Sequence, residues 1–108
     1  MFFLALTATG QIFAQSENKL IRRGNKAFEK GEYKEAEIDY RKALEKNDES
    51  KIGEFNLGGA MYQQQGFEEA SKIYEKLSGE NLTPEQKAAS YHNLGNTLIQ
   101  KQKYKEAI

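Results

Sequence analysis

Cysteine and tryptophan are absent, and proline and histidine occur once each, as Pro84 and His92. Without cysteine there is no disulfide, no thiolate zinc site and no thiol for lipid attachment. With one histidine, a His-based nucleophile or metal cluster lacks its partners. Net charge is absent too, since 16 Lys+Arg balance 16 Asp+Glu. A general nucleic-acid or acidic-membrane binder needs a basic surplus, so both classes are disfavoured. Gly58-Gly59 is followed by no Lys-Ser or Lys-Thr, so no phosphate loop is formed. Glu32, Glu35, Glu68, Glu69 and Glu106 fall at turns and helix starts, where they favour the helix dipole and need no catalytic role. The expectation is a non-enzymatic protein with no cofactor, no metal and no nucleic-acid partner.

What is present is internal repetition. Gly24-Asn25 is followed by Gly31-Glu32-Tyr33-Lys34-Glu35-Ala36. Gly58-Gly59 is followed by Gly66-Phe67-Glu68-Glu69-Ala70, and Gly95-Asn96 by Lys103-Tyr104-Lys105-Glu106-Ala107. In each copy a glycine lies nine residues before an aromatic and twelve before an alanine. The copies are 34 and then 37 residues apart. A period in this range marks a stack of like units.

Each unit reads as two helices and a tight turn. Apolar positions recur at helical spacing over 18–30, 51–65 and 86–102. Gly31 and Gly66 are expected to supply left-handed caps. Second helices are expected over Tyr33–Lys46 and Phe67–Leu77, and from Tyr104 onward. On this reading Glu35, Glu37, Arg41, Lys42 and Glu45 take exposed positions on the first of these. A glycine inside a helix costs about 0.5–1 kcal/mol against alanine, so Gly24, Gly58 and Gly95 need a compensating reason. Close approach of the second helix is the simplest, with Ala36, Ala70 and Ala107 facing them. Ser16 and Thr83 are expected N-caps, the polar turn Asn47-Asp48-Glu49-Ser50 is expected to recap the next helix, and Thr83-Pro84-Glu85-Gln86 can form a capping box. Three additional residues before that box are expected to extend the third unit's first helix without breaking the stack. Gln63-Gln64-Gln65 reads as a solvated helix end.

With these residues the chain resembles the tetratricopeptide repeat family, whose unit of about 34 residues is a helix-turn-helix. The family's small residue, alanine, aromatic and alanine correspond to Gly24, Ala36, Tyr40 and Ala43 in unit one. They correspond to Gly58, Ala70, Tyr74 and Leu77 in unit two, and to Gly95 and Ala107 in unit three. The family's tryptophan is replaced by Leu20, Glu54 and Tyr91, and its proline by Asp48 and Leu82. The resemblance implies an all-α superhelix, an α-solenoid of about two and a half repeats. Its units are 17–50, 51–84 and a truncated 85–108.

The resemblance also implies a concave groove lined by the first helices, and a protein or peptide partner within it. Carried over, the groove-facing residues are Asn18, Ile21, Arg22, Asn25, Phe28 and Glu29 in unit one. Unit two offers Ile52, Phe55, Asn56, Gly59, Tyr62 and Gln63. Unit three offers Ala89, His92, Asn93, Asn96, Ile99 and Gln100. Arg22, Asn25, Phe28, Phe55, Asn56, Tyr62, Asn93 and Asn96 are the candidate peptide-binding set. Asn25 and Asn56 match asparagines that hold peptide backbone in relatives with a carboxylate clamp. An amide donates and accepts at once, as a peptide unit does. The clamp's cationic positions hold Ile21, Ala89 and Asn93, so recognition of a free terminal carboxylate is not expected. Arg22 is one residue away from such a position.

No charged residue precedes Glu17. Residues 1–14 are mostly apolar, shorter than the roughly 20 residues that span a bilayer, and read as a secretory signal cleaved after Ala14. No basic residue precedes the run and Ile12 stands where a small residue is usual. The alternative is an apolar N-terminal helix packed on the repeats. The start ending in Phe13-Ala14-Gln15, with Lys19–Ala27 and Ala36–Leu44, resembles the tetratricopeptide proteins of the Bat aerotolerance group. That resemblance implies an exported, envelope-associated protein working with von Willebrand A-domain partners. A self-assembling repeat module, or the N-terminal part of a larger protein, stays open beside it.

Overall fold

A computed structural model of the chain describes residues 18–107. The expected signal segment, the Ser16 cap and Ile108 lie outside the described residues. Five helices follow in order: α1 over 18–29, α2 Tyr33–Lys46, α3 Lys51–Gln63, α4 Phe67–Ser78 and α5 Pro84–Ala107. No strand occurs among the described residues. Neighbouring helices pack in sequence, α2 on α3, α3 on α4 and α4 on α5. The array is elongated, 62 × 29 × 19 Å.

The starts of α3 and α5 follow from their caps. Ser50 Oγ accepts from the Gly53 amide at 3.1 Å. Thr83 and Gln86 close a reciprocal box, with amide-to-side-chain bonds of 3.1 and 3.2 Å. The box sets α5 off about one turn further ahead of its glycine than α3 is. The left-handed turn residues are Gly31, at φ 77°, and Gln65, at φ 64°. Gly66 was the expected second one; it has φ −81°. It is small for another reason: a β-carbon there would stand 2.8 Å from Met61 Cε and 3.2 Å from the Met61 carbonyl oxygen.

The core is built from alanines and tyrosines. Ala27, Ala36, Tyr40, Leu57 and Ala60 form one cluster, and Ala70, Tyr74 and Leu77 the next. The helix glycines Gly24 and Gly58 do make room, and what comes closest to each is a tyrosine ring, not an alanine. A β-carbon on Gly24 would lie 2.6 Å from Tyr40 Cε1, and one on Gly58 2.8 Å from Tyr74 Cζ. Ala36 and Ala70 are fully buried beside these crossings. The ring one helical turn further on is what fills each notch. At Gly95 a β-carbon would meet nothing within 4 Å.

Unit three departs from the expected pattern. No turn forms before Tyr104, and α5 runs on unbroken through Ala107. Gln100-Lys101-Gln102-Lys103 are good helix formers with no glycine among them. Gln102 donates to Glu106 at 3.0 Å along the continuing helix. In units one and two an edge-to-face ring pair closes the turn, Phe28–Tyr33 at 5.0 Å and Tyr62–Phe67 at 5.3 Å. Ile99 stands at the first of these positions in unit three, and Tyr104 instead meets Phe67 at 6.4 Å.

Glu37, expected to be exposed, is buried. It accepts from Arg41 Nε at 2.8 Å and from Gln64 Nε2 at 2.9 Å. Arg41 also reaches Glu69 on α4 at 2.8 Å. Gln64 is therefore no mere solvated helix end: it ties the end of α3 back to α2, donating as well toward the Tyr33 carbonyl at 3.4 Å.

Candidate functional site: a groove across the first helices

Residues of α1, α3 and α5 converge on a recess of about 500 Å³. From α1 come Asn25, Phe28 and Glu29; from α3, Phe55, Asn56, Gly59, Tyr62 and Gln63; from α5, Asn93 and Asn96. Seven of the eight candidate residues thus share one surface. Arg22 is exposed on α1 and does not line it. Ile21, also expected in the groove, is buried in the core. His92 is exposed, with Asn96 Nδ2 3.2 Å from its Nε2.

Two lining residues were not foreseen. Tyr40 and Tyr74 belong to the second helices, yet they reach the recess through the notches at Gly24 and Gly58. The Tyr40 hydroxyl donates to Asn25 Oδ1 at 2.6 Å, and Asn56 Nδ2 donates to the same oxygen at 3.1 Å. Both lone pairs of the Asn25 carbonyl are therefore engaged. Its amide N–H groups and the carbonyl of Asn56 make no hydrogen bond among the described residues. The sign of this site was the recurrence of an aromatic in each second helix opposite a glycine.

Burial pushes the Tyr40 phenol up to about 12, helped by the nearby charges of Asp39 and Glu29. Burial likewise pushes Tyr74 up to about 12, with the Asn93 amide pulling the other way and Tyr62 adding a smaller push. Both tyrosines are thus neutral hydrogen-bonding groups through the physiological range. Among the described residues Glu29 is the one carboxylate of the recess, and no lysine or arginine lines it. Gly59 occupies the place that Asn25 and Asn96 hold in their units. A β-carbon there would make ordinary contacts, 3.7 Å from Phe28 Cε2.

Among the described residues no three His, Asp or Glu side chains gather to hold a metal ion. No described helix is long and apolar enough to cross a membrane.

Two family models described as tetratricopeptide repeat match the chain, over residues 17–50 and 87–108, together just over half of it. The chain is a tetratricopeptide repeat protein. The first matched span coincides with α1, α2 and the turn that follows, and the second with most of α5. Tetratricopeptide repeats are protein–protein interaction modules, typically non-enzymatic, and the recess sits on the face made by the first helix of each repeat. No curated protein matches the chain.

Proposed function

We propose that this tetratricopeptide array holds an extended or helical segment of a partner protein in the groove across α1, α3 and α5. The observation that carries the reading is the amide pair at its floor. Asn25 and Asn56 are locked to each other and to Tyr40, leaving a donor beside an acceptor, the complement of one peptide unit. Phe28, Phe55 and Tyr62 offer apolar faces for side chains on either side. Photo-crosslinking from Gln63, an exposed lining residue, identifies the captured segment. Asn56→Ala is then expected to weaken that partner several-fold, the effect of about 0.5–1.5 kcal/mol for one hydrogen bond, with the fold intact. Unchanged affinity in Asn56→Ala and Asn93→Ala would remove the groove from the interaction.

The place of action proposed for the protein is the bacterial envelope, with a role in aerotolerance beside von Willebrand A-domain partners. The support is the uncharged apolar run over 1–14 and the resemblance of Lys19–Ala27 and Ala36–Leu44 to the Bat group. N-terminal sequencing after cell fractionation tests it. A chain beginning at Gln15 outside the cytosol is expected, and a cytosolic chain keeping Met1 overturns it.

A second reading rests on α5. Tyr91 and Leu98 are 57% and 48% exposed on either side of Gly95, whose notch is empty. This face supports stacking on another copy. Sedimentation at rising concentration separates the two readings, since a groove binder stays monomeric.

A further inference from the structure

A second recess, of about 410 Å³, adjoins the groove and shares Phe55 and Asn56 with it. It lies between the starts of α3 and α5, and its walls are Ile52, Phe55, Leu77, Leu82 and Ala89, with Glu85 among the residues at its edge. Its chemistry is peculiar to this junction. Leu82 stands where the junction of units one and two has Asp48, and Ile52 where unit one has Asn18. The added turn at the start of α5 supplies Glu85. Ile52 is 58% exposed at the recess although it is aliphatic.

The charges around both recesses have one sign once internal pairs are removed. Lys51, the only cation lining either among the described residues, is paired with Glu80. Glu29 in the first recess and Glu85 in the second have no ion-pair partner among the described residues. One uncompensated carboxylate at the edge of the apolar recess, Glu85, and another in the groove that adjoins it, Glu29, complement a segment that carries an apolar side chain with basic residues on both sides of it.

The geometry points to a specificity pocket: the recess between α3 and α5 takes a large aliphatic side chain of the segment held in the groove, and Glu29 and Glu85 take basic residues flanking it. This rests on the groove reading above and adds the chemical class of the ligand. Burying a leucine side chain there is the main source of discrimination, and the carboxylates add a salt-sensitive preference.

Three fluorescein-labelled, end-blocked peptides test it by anisotropy against the full chain: one with leucine flanked by lysines, the same with alanine for leucine, and the same with glutamates for lysines. The leucine–lysine peptide is expected to bind roughly tenfold more tightly than its alanine form. It is expected to bind several-fold more tightly than its glutamate form at low salt, a gap that closes at high salt. Ala89→Leu fills the recess and is expected to abolish the leucine preference. Ile52→Ser alters an exposed residue and gives the same readout if Ala89→Leu fails to fold. Glu29→Gln with Glu85→Gln is expected to remove the lysine preference alone. Equal binding of all three peptides, still lowered by Asn56→Ala, overturns the specificity pocket and leaves the groove reading standing. Preference for the glutamate peptide overturns it as well. Binding of none of them counts against both.

Discussion

The ring of Tyr40 occupies the notch at Gly24 so closely that a β-carbon on the glycine would stand 2.6 Å from its Cε1. Tyr74 and Gly58 repeat the arrangement at 2.8 Å. The rings are almost wholly buried and cannot swing aside without disturbing the core. Alanine is the better helix former, yet Gly24→Ala and Gly58→Ala are expected to destabilise by about 1–3 kcal/mol through overpacking. Gly95→Ala meets no neighbour and is expected to stabilise by about 0.5–1 kcal/mol. Urea denaturation of the three variants checks the contrast, which reverses sign between units.

Tyr40→Phe keeps the ring in its notch and removes only the hydroxyl that bonds Asn25. A loss of about 0.5–1.5 kcal/mol is expected in the same assay. Any groove ligand should also bind more weakly, because Asn25 then keeps one anchor instead of two.

Both buried phenols hold their protons to about pH 12, above the ordinary value of 10.0. The folded state therefore binds protons more tightly than the unfolded chain in this range. Their contribution to stability is whole below pH 10.0 and is lost as pH rises toward about 12. Tyrosinate absorbance is expected to show a late phase that coincides with loss of helical circular dichroism. Tyr74→Phe should shrink that phase.

Burial of Glu37 raises its pKa, but hydrogen bonds from Arg41, Gln64 and Lys34 and the charge of Arg41 outweigh it, so its carboxyl lies below the usual 4.5. With the folded value depressed, its stabilising share is present above pH 4.5 and disappears as pH falls through the folded value. Arg41→Ala is expected to cost about 1–3 kcal/mol at neutral pH by leaving this buried acceptor under-satisfied. It should also flatten the acid limb of a stability–pH curve.

The repeat and most helix ends were legible because they depend on local chemistry. Ser50 and Thr83 announce caps, and the Tyr33–Lys46 helix begins and ends where its periodicity does. The occupant of the glycine notches was not legible. Alanine and tyrosine recur at equally fixed distances from the glycine, and only the reach of the ring decides between them. Glu37 looked exposed because its burial depends on Gln64, 27 residues away. The missing turn in unit three reflects competition: strong helix formers continue α5 where Gly31 and Gln65 had broken the earlier helices. Gln65 shows the converse, a non-glycine at φ 64° in a turn across which the Tyr62 and Phe67 rings meet. Of the candidate groove residues, those on the inner faces of α1, α3 and α5 followed from helical spacing, while Arg22 and Ile21 lie off that face.

Arg41 grips carboxylates from two different repeats and lies 3.7 Å from the Met61 sulfur between them. Together with Gln64 it clamps α2, α3 and α4, whereas among the described residues the one ion pair holding α5 is that of Lys101 with Glu68, at 2.8 Å. In a linear stack whose strength is the sum of neighbouring joints, such unevenness sets a direction of melting. Amide deuteration should begin in the closing turns of α5, travel inward and stop at the Arg41 clasp, beyond which the first two repeats come apart as one cooperative block.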